Sequence, residues 1–380
     1  MLKIDPMKIV IVGTAYPYRG GIATFTDRLA TEFVNEGVEV EVFTFRLQYP
    51  SVLFPGKTQY SDAKAPEGVA ISRKVNSINP FNWIKVGKEL KRMNPDIVVF
   101  TYWMSFFAPC FGKIANMVKK NRHTKCIGLI HNIIPHERSV LDKMFTPYFI
   151  KAMDGFVALS KAVLADVESL DGGNKPKCFV PHPLYDHFGE IVSREEAIGK
   201  LKLDEDCCYM LFFGLVRAYK GLDLLIEAFA DERLRKYPVK LIVAGEFYDD
   251  PKPYLEQIEK LGLRDYVIIE NKYVSDADVR WYFNAADIVV QPYKSATQSG
   301  VTQIAYHFEK PMLVTNVGGL GEIIPDGKVG YVVEPQPTAI ADALVDFYGN
   351  NRYDAFVPGV RDEKRKYEWS NITTAIKNLL

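Results

Sequence analysis

Residues 211–230, LFFGLVRAYKGLDLLIEAFA, read as a buried strand, a turn carrying Arg217 and Lys220, and a helix with apolar positions Leu222, Leu225, Ile226 and Phe229. That pattern brings two cations and Gly221 to a helix N-terminus, where free amide N–H groups and the helix dipole already favour an anion. A diphosphate is the ligand expected at such a turn.

Working outward, further strand-length apolar runs fall at 240–244, 267–270, 288–291, 312–315 and 330–333, each followed by turn or helix signals. The N-terminal half shows the same rhythm. A short strand ends at Gly13, the loop TAYPYRGGIA leads into a helix over about 24–35, Gly37 stops it, and VEVEVFTF at 38–45 alternates as a strand. Runs at 97–101, 126–130 and 155–159 continue the series. Two sets of β/α units imply an α/β protein with two parallel sheets. At 380 residues the chain exceeds the roughly 250–300 at which one core usually splits. Pro181, Pro183 and Gly189 in KCFVPHPLYDHFGE place the boundary within 182–192. The expected domains are 1–185 and 190–361, with 362–380 a charged, then amphipathic, helix containing Trp369.

The zero net charge hides an asymmetry: residues 1–180 hold 24 Lys and Arg against 16 Asp and Glu, leaving 23 against 31 for the rest. The N-terminal half is thus the one suited to an anionic surface or acceptor. Five cysteines with no zinc-type spacing fit reduced thiols in a cytoplasmic protein. Neither a secretory leader nor an apolar run of ~20 residues is present, so secretion and membrane spanning are not expected. No nucleic-acid partner is expected. Between 81 and 125, nine Lys and Arg and two acids interleave with Trp83, Trp103, Phe106, Phe107 and Phe111. That stretch is either core plus solvated helix or a peripheral contact for an anionic membrane, on the inner face of the cytoplasmic membrane.

Taken with PMLVTNVGGLGEIIPDGKVGYVV at 311–333, the opening segment resembles the C-terminal half of retaining, nucleotide-sugar-dependent glycosyltransferases of family 4. The resemblance implies the GT-B fold: two Rossmann-like β/α/β domains facing a deep cleft, with a C-terminal helix crossing back to the N-terminal domain. It implies a nucleoside-diphosphate sugar as donor, held by the C-terminal domain. The acceptor would be a glycan or lipid-linked hydroxyl in cell-surface polysaccharide or glycolipid synthesis. The family places its Arg directly after the strand-ending Gly; here Leu215 follows Gly214 and the Arg stands at 217, while Lys220 and Gly221 fit.

The loop GTAYPYRGGIATF resembles the family's glycine-rich loop, with Gly20 and Gly21 allowing close backbone approach to a phosphate or sugar. His131 follows the strand CIGLI, where the resemblance puts a His beside the transferring sugar; the bland reading is a structural hydrogen bonder. His136 and Glu137 are further candidates. The family's pair of glutamates seven residues apart is missing: SATQSGVTQIAYHFEKP has no acid between Ser295 and Phe308. Thr297, Gln298, Ser299 and Gly300 would substitute near donor sugar and phosphate, and Gln303 near the ribose. Gly318, Gly319 and Glu322 match a later donor motif, although Glu322 suits a salt bridge equally. Tyr273 and Val274 fall where the family reads its base.

Asp276 and Asp278 have the D-x-D spacing of metal-dependent transferases, but following Ser275 they read as a helix start, so neither metal nor cofactor is expected. The alternatives are a GT-B epimerase or phosphorylase, or a non-catalytic sugar-nucleotide or glycan binder, the latter motivated by the missing glutamates.

Overall fold

The computed structural model describes residues 6–49, 59–61, 64–133, 140–296 and 299–380. The chain divides into two compact units, Met1–His182 with Glu368–Leu380, and Pro183–Tyr367.

The first unit carries seven strands: β1 (Lys8–Val12), β2 (Glu39–Leu47), β3 (Ala70–Asn76), β4 (Ile97–Tyr102), β5 (Lys125–Ile130), β6 (Gly155–Ala158) and β7 (Lys177–Phe179). Their order is β3-β2-β1-β4-β5-β6-β7, and every pair is parallel. The central β1, KIVIV, shows why. Val10 and Val12 enter one apolar cluster while Ile9 and Ile11 enter another, so the strand is covered on both faces as a parallel sheet requires. The helix Gly21–Asn35 turns Phe25, Leu29 and Phe33 toward the second cluster, a spacing of one helical face.

The second unit carries β8 (Cys208–Phe213), β9 (Val239–Ala244), β10 (Val267–Glu270), β11 (Ile288–Gln291), β12 (Met312–Thr315) and β13 (Gly330–Val333). They form a parallel sheet of order β10-β9-β8-β11-β12-β13. In each sheet the chain runs outward on one side of a central strand and resumes on the other, between β1 and β4 and between β8 and β11. The carboxyl ends of those strand pairs are where a doubly wound sheet leaves a crevice for ligand.

Most strands lie within a residue or two of their sequence-based positions; β3 and β7 were not anticipated. The short helix Trp369–Lys377 closes the first unit. Trp369, Ile372 and Ile376 join its second cluster, the Trp369 and Phe25 rings lie 4.9 Å apart, and the Arg28 guanidinium sits 5.1 Å over Trp369. Lys377 pairs with Glu36 at 2.6 Å. The return begins at Glu368 and not near 362, because Asp362 and Glu363 are both held by Lys328 inside the second unit.

Trp369→Ala should therefore destabilise the first unit by about 3–5 kcal/mol, the range for deleting a buried aromatic, in denaturant unfolding followed by fluorescence. A loss under ~1 kcal/mol would show that the returning helix lies outside the core.

Candidate functional site

In the second unit the turn after β8 is built around two glycines. Gly214 has φ +95°, and a Cβ placed on it would lie 3.1 Å from Lys220 Nζ. Gly221 has φ +70°, and a Cβ there would meet the Pro292 carbonyl oxygen at 2.0 Å. Only glycine fits both positions. Between them Ala218–Lys220 form a single 3-10 turn, and the helix Leu222–Phe229 follows. Arg217 and Lys220 are thus both held at the carboxyl end of β8. Arg217 stacks 4.1 Å over Tyr248, leaving its Nε enclosed and unbonded among the described residues. Lys220 Nζ sits 5.7 Å from the Tyr293 ring. Burial, then the neighbouring Arg217, lowers its pKa to about 8. By contrast Lys294, on the adjacent loop, is paired with Asp223 at 2.6 Å.

The loop after β11 joins this turn. Lys294 donates its backbone N–H to Tyr219, and Tyr293 OH and Ser299 Oγ lie 3.2 Å apart. Ser299 Oγ accepts from Val301 N at 3.3 Å, capping the helix Gly300–His307. Thr315, at the end of β12, donates to the Tyr293 carbonyl at 2.6 Å. Loops following β8, β11 and β12 are thereby tied together. A Cβ on Gly300 would come within 2.9 Å of Tyr185. Gln303 is buried with its Oε1 unpartnered, and both amide atoms of buried Gln291 are unpartnered among the described residues. Buried polar atoms of this kind call for a partner such as a ligand or water.

Gly318 has φ +54° and Gly319 precedes the four-residue helix Leu320–Ile323. Glu322 is exposed, and no salt bridge holds it among the described residues. Tyr273 is 73% exposed, whereas Val274 packs into the core. Thr297 and Gln298 lie outside the described residues, as do His136 and Glu137. Asp276 and Asp278 occupy the first turn of the helix Asp276–Ala285, where Ser275 makes no backbone cap and instead donates to Asp278 at 2.7 Å. Among the described residues no group of three or more His, Cys, Asp or Glu could hold a metal ion.

In the first unit Gly20, φ +108°, caps the helix Gly21–Asn35. A Cβ built on Gly20 or Gly21 meets nothing within 4 Å, so the helix start is open. The preceding loop is pinned by Ala15 N donating to Thr44 Oγ1 at 3.0 Å and Tyr16 N to Asp27 at 3.1 Å. Burial pushes the Asp27 carboxyl up to about 6 against that hydrogen bond. His131, directly after β5, donates its N–H to the Tyr102 carbonyl. Its ring stands edge-on to Phe25 at 4.6 Å, and its Nε2 is enclosed and unpartnered among the described residues. Burial, with His182 nearby, lowers its pKa to about 3, so at neutral pH it is an uncharged hydrogen-bonding group. Thr14 and Thr101 also leave buried hydroxyls unpartnered among the described residues, beside Gly13, where a Cβ would overlap Thr101.

Sequence comparison agrees with this layout. The family described as Glycosyltransferase Family 4 matches residues 19–185, and that described as Glycosyl transferases group 1 matches 208–350. The chain belongs to the family 4 glycosyltransferases of GT-B fold. A D-inositol 3-phosphate glycosyltransferase of Streptomyces scabiei is 26% identical over 86% of this chain and 78% of its own. An uncharacterized glycosyltransferase of Methanocaldococcus jannaschii is 25% identical over 98% and 97%. Among solved structures, Anabaena HepE in complex with UDP superposes with TM-score 0.62 at 16% identity, covering 98% of this chain and 99% of that one. Of the candidates named from the sequence of this glycosyltransferase, Arg217, Lys220 and the glycine pairs lie at strand-end turns or helix starts; the nearby polar groups of Thr14, Asp27, Thr101 and Gln291 were not singled out. The available signal was a polar side chain at or just past the end of an apolar run, as in IVVQ at 288–291.

The lowered pKa of Lys220 predicts a pH response for anion binding at this turn. A bound diphosphate favours the ammonium, so binding takes up a proton wherever the free site has lost it. Affinity for a nucleoside diphosphate should be level between about pH 7 and 8 and fall by up to about tenfold per unit above it. Titration of the terminal phosphate, near pH ~6, lies below that window. Lys220→Ala should abolish the slope and cost about one to two decades of affinity, as loss of one charge-assisted bond does. Calorimetry in buffers of different ionisation heat reads both effects, and a slope that survives the substitution excludes Lys220 as its origin.

Proposed function

We propose that this glycosyltransferase moves a sugar from a nucleoside diphosphate to a hydroxyl of a glycan or lipid-linked acceptor, with retention at the anomeric carbon and without a metal ion. The observation that carries the reading is the turn at 217–220: two cations with no carboxylate partner among the described residues, at the carboxyl edge of β8. Such a pair can stabilise the charge that develops on a departing diphosphate, the task a divalent ion performs elsewhere. The D-x-D acids are placed to complement a helix dipole instead. HepE, solved with UDP, supports a nucleoside diphosphate as the ligand class. His131, uncharged and with its Nε2 unpartnered among the described residues, supplies a hydrogen bond beside the transferring sugar. Gly20 and Gly21 lend open backbone to the same reaction. Ser299, Gly300, Gln303, Gly318, Gly319 and Glu322 line the donor, with Tyr273 and Val274 toward the base.

The acceptor chemistry includes a membrane. Of the aromatics in 81–125, Phe107 and Phe111 are core and Trp83, Trp103 and Phe106 pack against it; what is exposed is on the helix Pro80–Met93, where Phe81 is 85% exposed, with Ile78 just before it at 49% and Lys85, Lys88, Lys91 and Arg92 all exposed. Two apolar anchors flanked by cations fit peripheral docking on an anionic leaflet, each cation adding about 1 kcal/mol. Among the described residues no helix is long and apolar enough to cross a membrane. The unpaired thiols accord with the cytoplasmic face.

A second reading, binding without turnover, is favoured by one feature. Glu309, the acid nearest the position of the missing glutamate pair, is taken up by Arg361 and Lys364 at 2.6 and 3.2 Å.

Turnover decides between them. In excess chelator, nucleoside-diphosphate sugars and a panel of glycan acceptors should yield free nucleoside diphosphate and a product of unchanged anomeric configuration by NMR. Activity that disappears with chelator and returns with Mg²⁺ would refute the metal-free part. Binding with no product across the panel favours the second reading.

His131→Ala should lower turnover by about two decades or more with donor affinity unchanged, the pattern of an interaction strengthened in the transition state. Near-normal turnover in the folded variant makes His131 structural.

A further inference from the structure

The first unit contains a cavity of about 270 Å³ lined by Tyr18, Arg19, Gly20, Gln48, Tyr49 and Gln59. It opens beside the glycine pair that starts the helix Gly21–Asn35 and is bounded on the other side by the end of β2. Its walls are firmly set. Tyr18 is 4% exposed, with its ring edge-on to Phe45 at 6.4 Å. Tyr49 is braced by Phe106 and Phe107 at 5.8 and 5.7 Å. The backbone of Arg19 is fixed by donating to the Gln59 carbonyl at 3.0 Å.

The chemistry of the lining is specific. Gln48 is 6% exposed, yet its Oε1 has no hydrogen-bond partner among the described residues. That oxygen accepts and cannot donate, so it suits a hydroxyl, while the exposed Arg19 adds a donor cation to the same lining. The nearby Arg73 is already committed, with Nε to the Phe45 carbonyl at 3.2 Å and Nη2 to the Arg46 carbonyl and Tyr60 hydroxyl at 3.2 and 3.0 Å. Aromatic walls offer a flat apolar face with a polar tip, matching the C–H face and hydroxyl edge of a sugar ring. The volume lies just under the ~300–1,000 Å³ of drug-sized pockets, room for one sugar ring.

We propose that this cavity is a subsite for one pyranose ring of the acceptor, with Gln48 Oε1 receiving a sugar hydroxyl and Tyr18 and Tyr49 walling the ring. The inference rests on the glycosyltransferase reading above and narrows its acceptor to one that presents a sugar ring.

The test is saturation-transfer NMR on the full chain with methyl α- and β-glucosides and galactosides. Inorganic phosphate and myo-inositol 3-phosphate serve as competitors, and binding of UDP, GDP and ADP is measured in parallel. Gln48→Leu keeps the bulk and removes the polar atoms; Tyr49→Ala, at the half-buried outer wall, decides alone if the first variant does not fold. At least one glycoside should bind saturably, each folded variant should weaken it fivefold or more, and nucleotide affinity should stay within twofold. Absence of glycoside binding in the unaltered chain, binding untouched by the folded variants, or competitive displacement by phosphate would each overturn the proposal. Glycoside binding lost in the variants from a chain that binds no nucleoside diphosphate upholds the subsite and counts against the donor assignment instead.

Discussion

A parallel strand covered by helices on both faces cannot expose a functional side chain along its length. In β8, Tyr209 and Leu211 enter one apolar cluster and Met210 and Phe212 another; β1 divides its residues in the same way. Chemistry is therefore pushed to the strand ends, and the topology decides which ends matter. Loops diverge after β1 and β4 and after β8 and β11, and it is there that Gly13, Thr14, Thr101, Arg217, Lys220 and Gln291 gather. Residues that touch phosphate or sugar must come from turns whose backbone can bend sharply and be approached closely, so glycine is found beside each cluster.

The turn at 217–220 holds like charges together at a cost. Burial and the Arg217 charge both disfavour the Lys220 ammonium, which is why its pKa falls to about 8. A surface lysine would swing into solvent or find a carboxylate, as Lys294 finds Asp223. Lys220 is kept in place by the absence of a side chain at Gly214 and by the tyrosine beneath it. An arriving dianion relieves the repulsion without moving either cation. The preorganised field is thus strongest for whichever state of the substrate carries most charge on phosphate.

What the sequence disclosed and what it withheld separate along a physical line. The strands β8 to β13 are apolar runs bounded by turn residues, a local signal. Strand β3 escaped because it is an edge, with Ser72, Arg73 and Lys74 in its middle and Lys74 bonded to Glu41 and Glu89; β7 escaped because it has three residues. The return helix was placed early because the partner of Asp362 and Glu363 is Lys328, more than thirty residues away. Arg217 and Lys220 were legible since strand, glycine and helix frame them within twenty residues. Gln48, Gln291 and Thr101 were not, because a polar residue closing an apolar run is a weak local signal, and whether its buried atom lacks a partner is decided by tertiary neighbours.

The missing glutamates bear on how the proposed transfer distributes charge. From 295 to 308 the loop and helix that border the Arg217–Lys220 turn contain no acid, and Glu309 is neutralised by two cations. What remains nearby is Ser299, Gln291 and Gln303, groups able to hydrogen-bond a hydroxyl but carrying no formal charge. The local field is positive and acts on the leaving diphosphate. Nothing anionic on that loop is positioned to stabilise positive charge developing on the sugar as its bond to phosphate breaks. In a retaining transfer that charge must then be met chiefly by the diphosphate itself, held within reach by Arg217 and Lys220 on the face from which it departs. Under the proposed transfer the same anion would be available to take the proton of the incoming hydroxyl, so rate would depend on how precisely this turn holds the phosphate more than on any side-chain base.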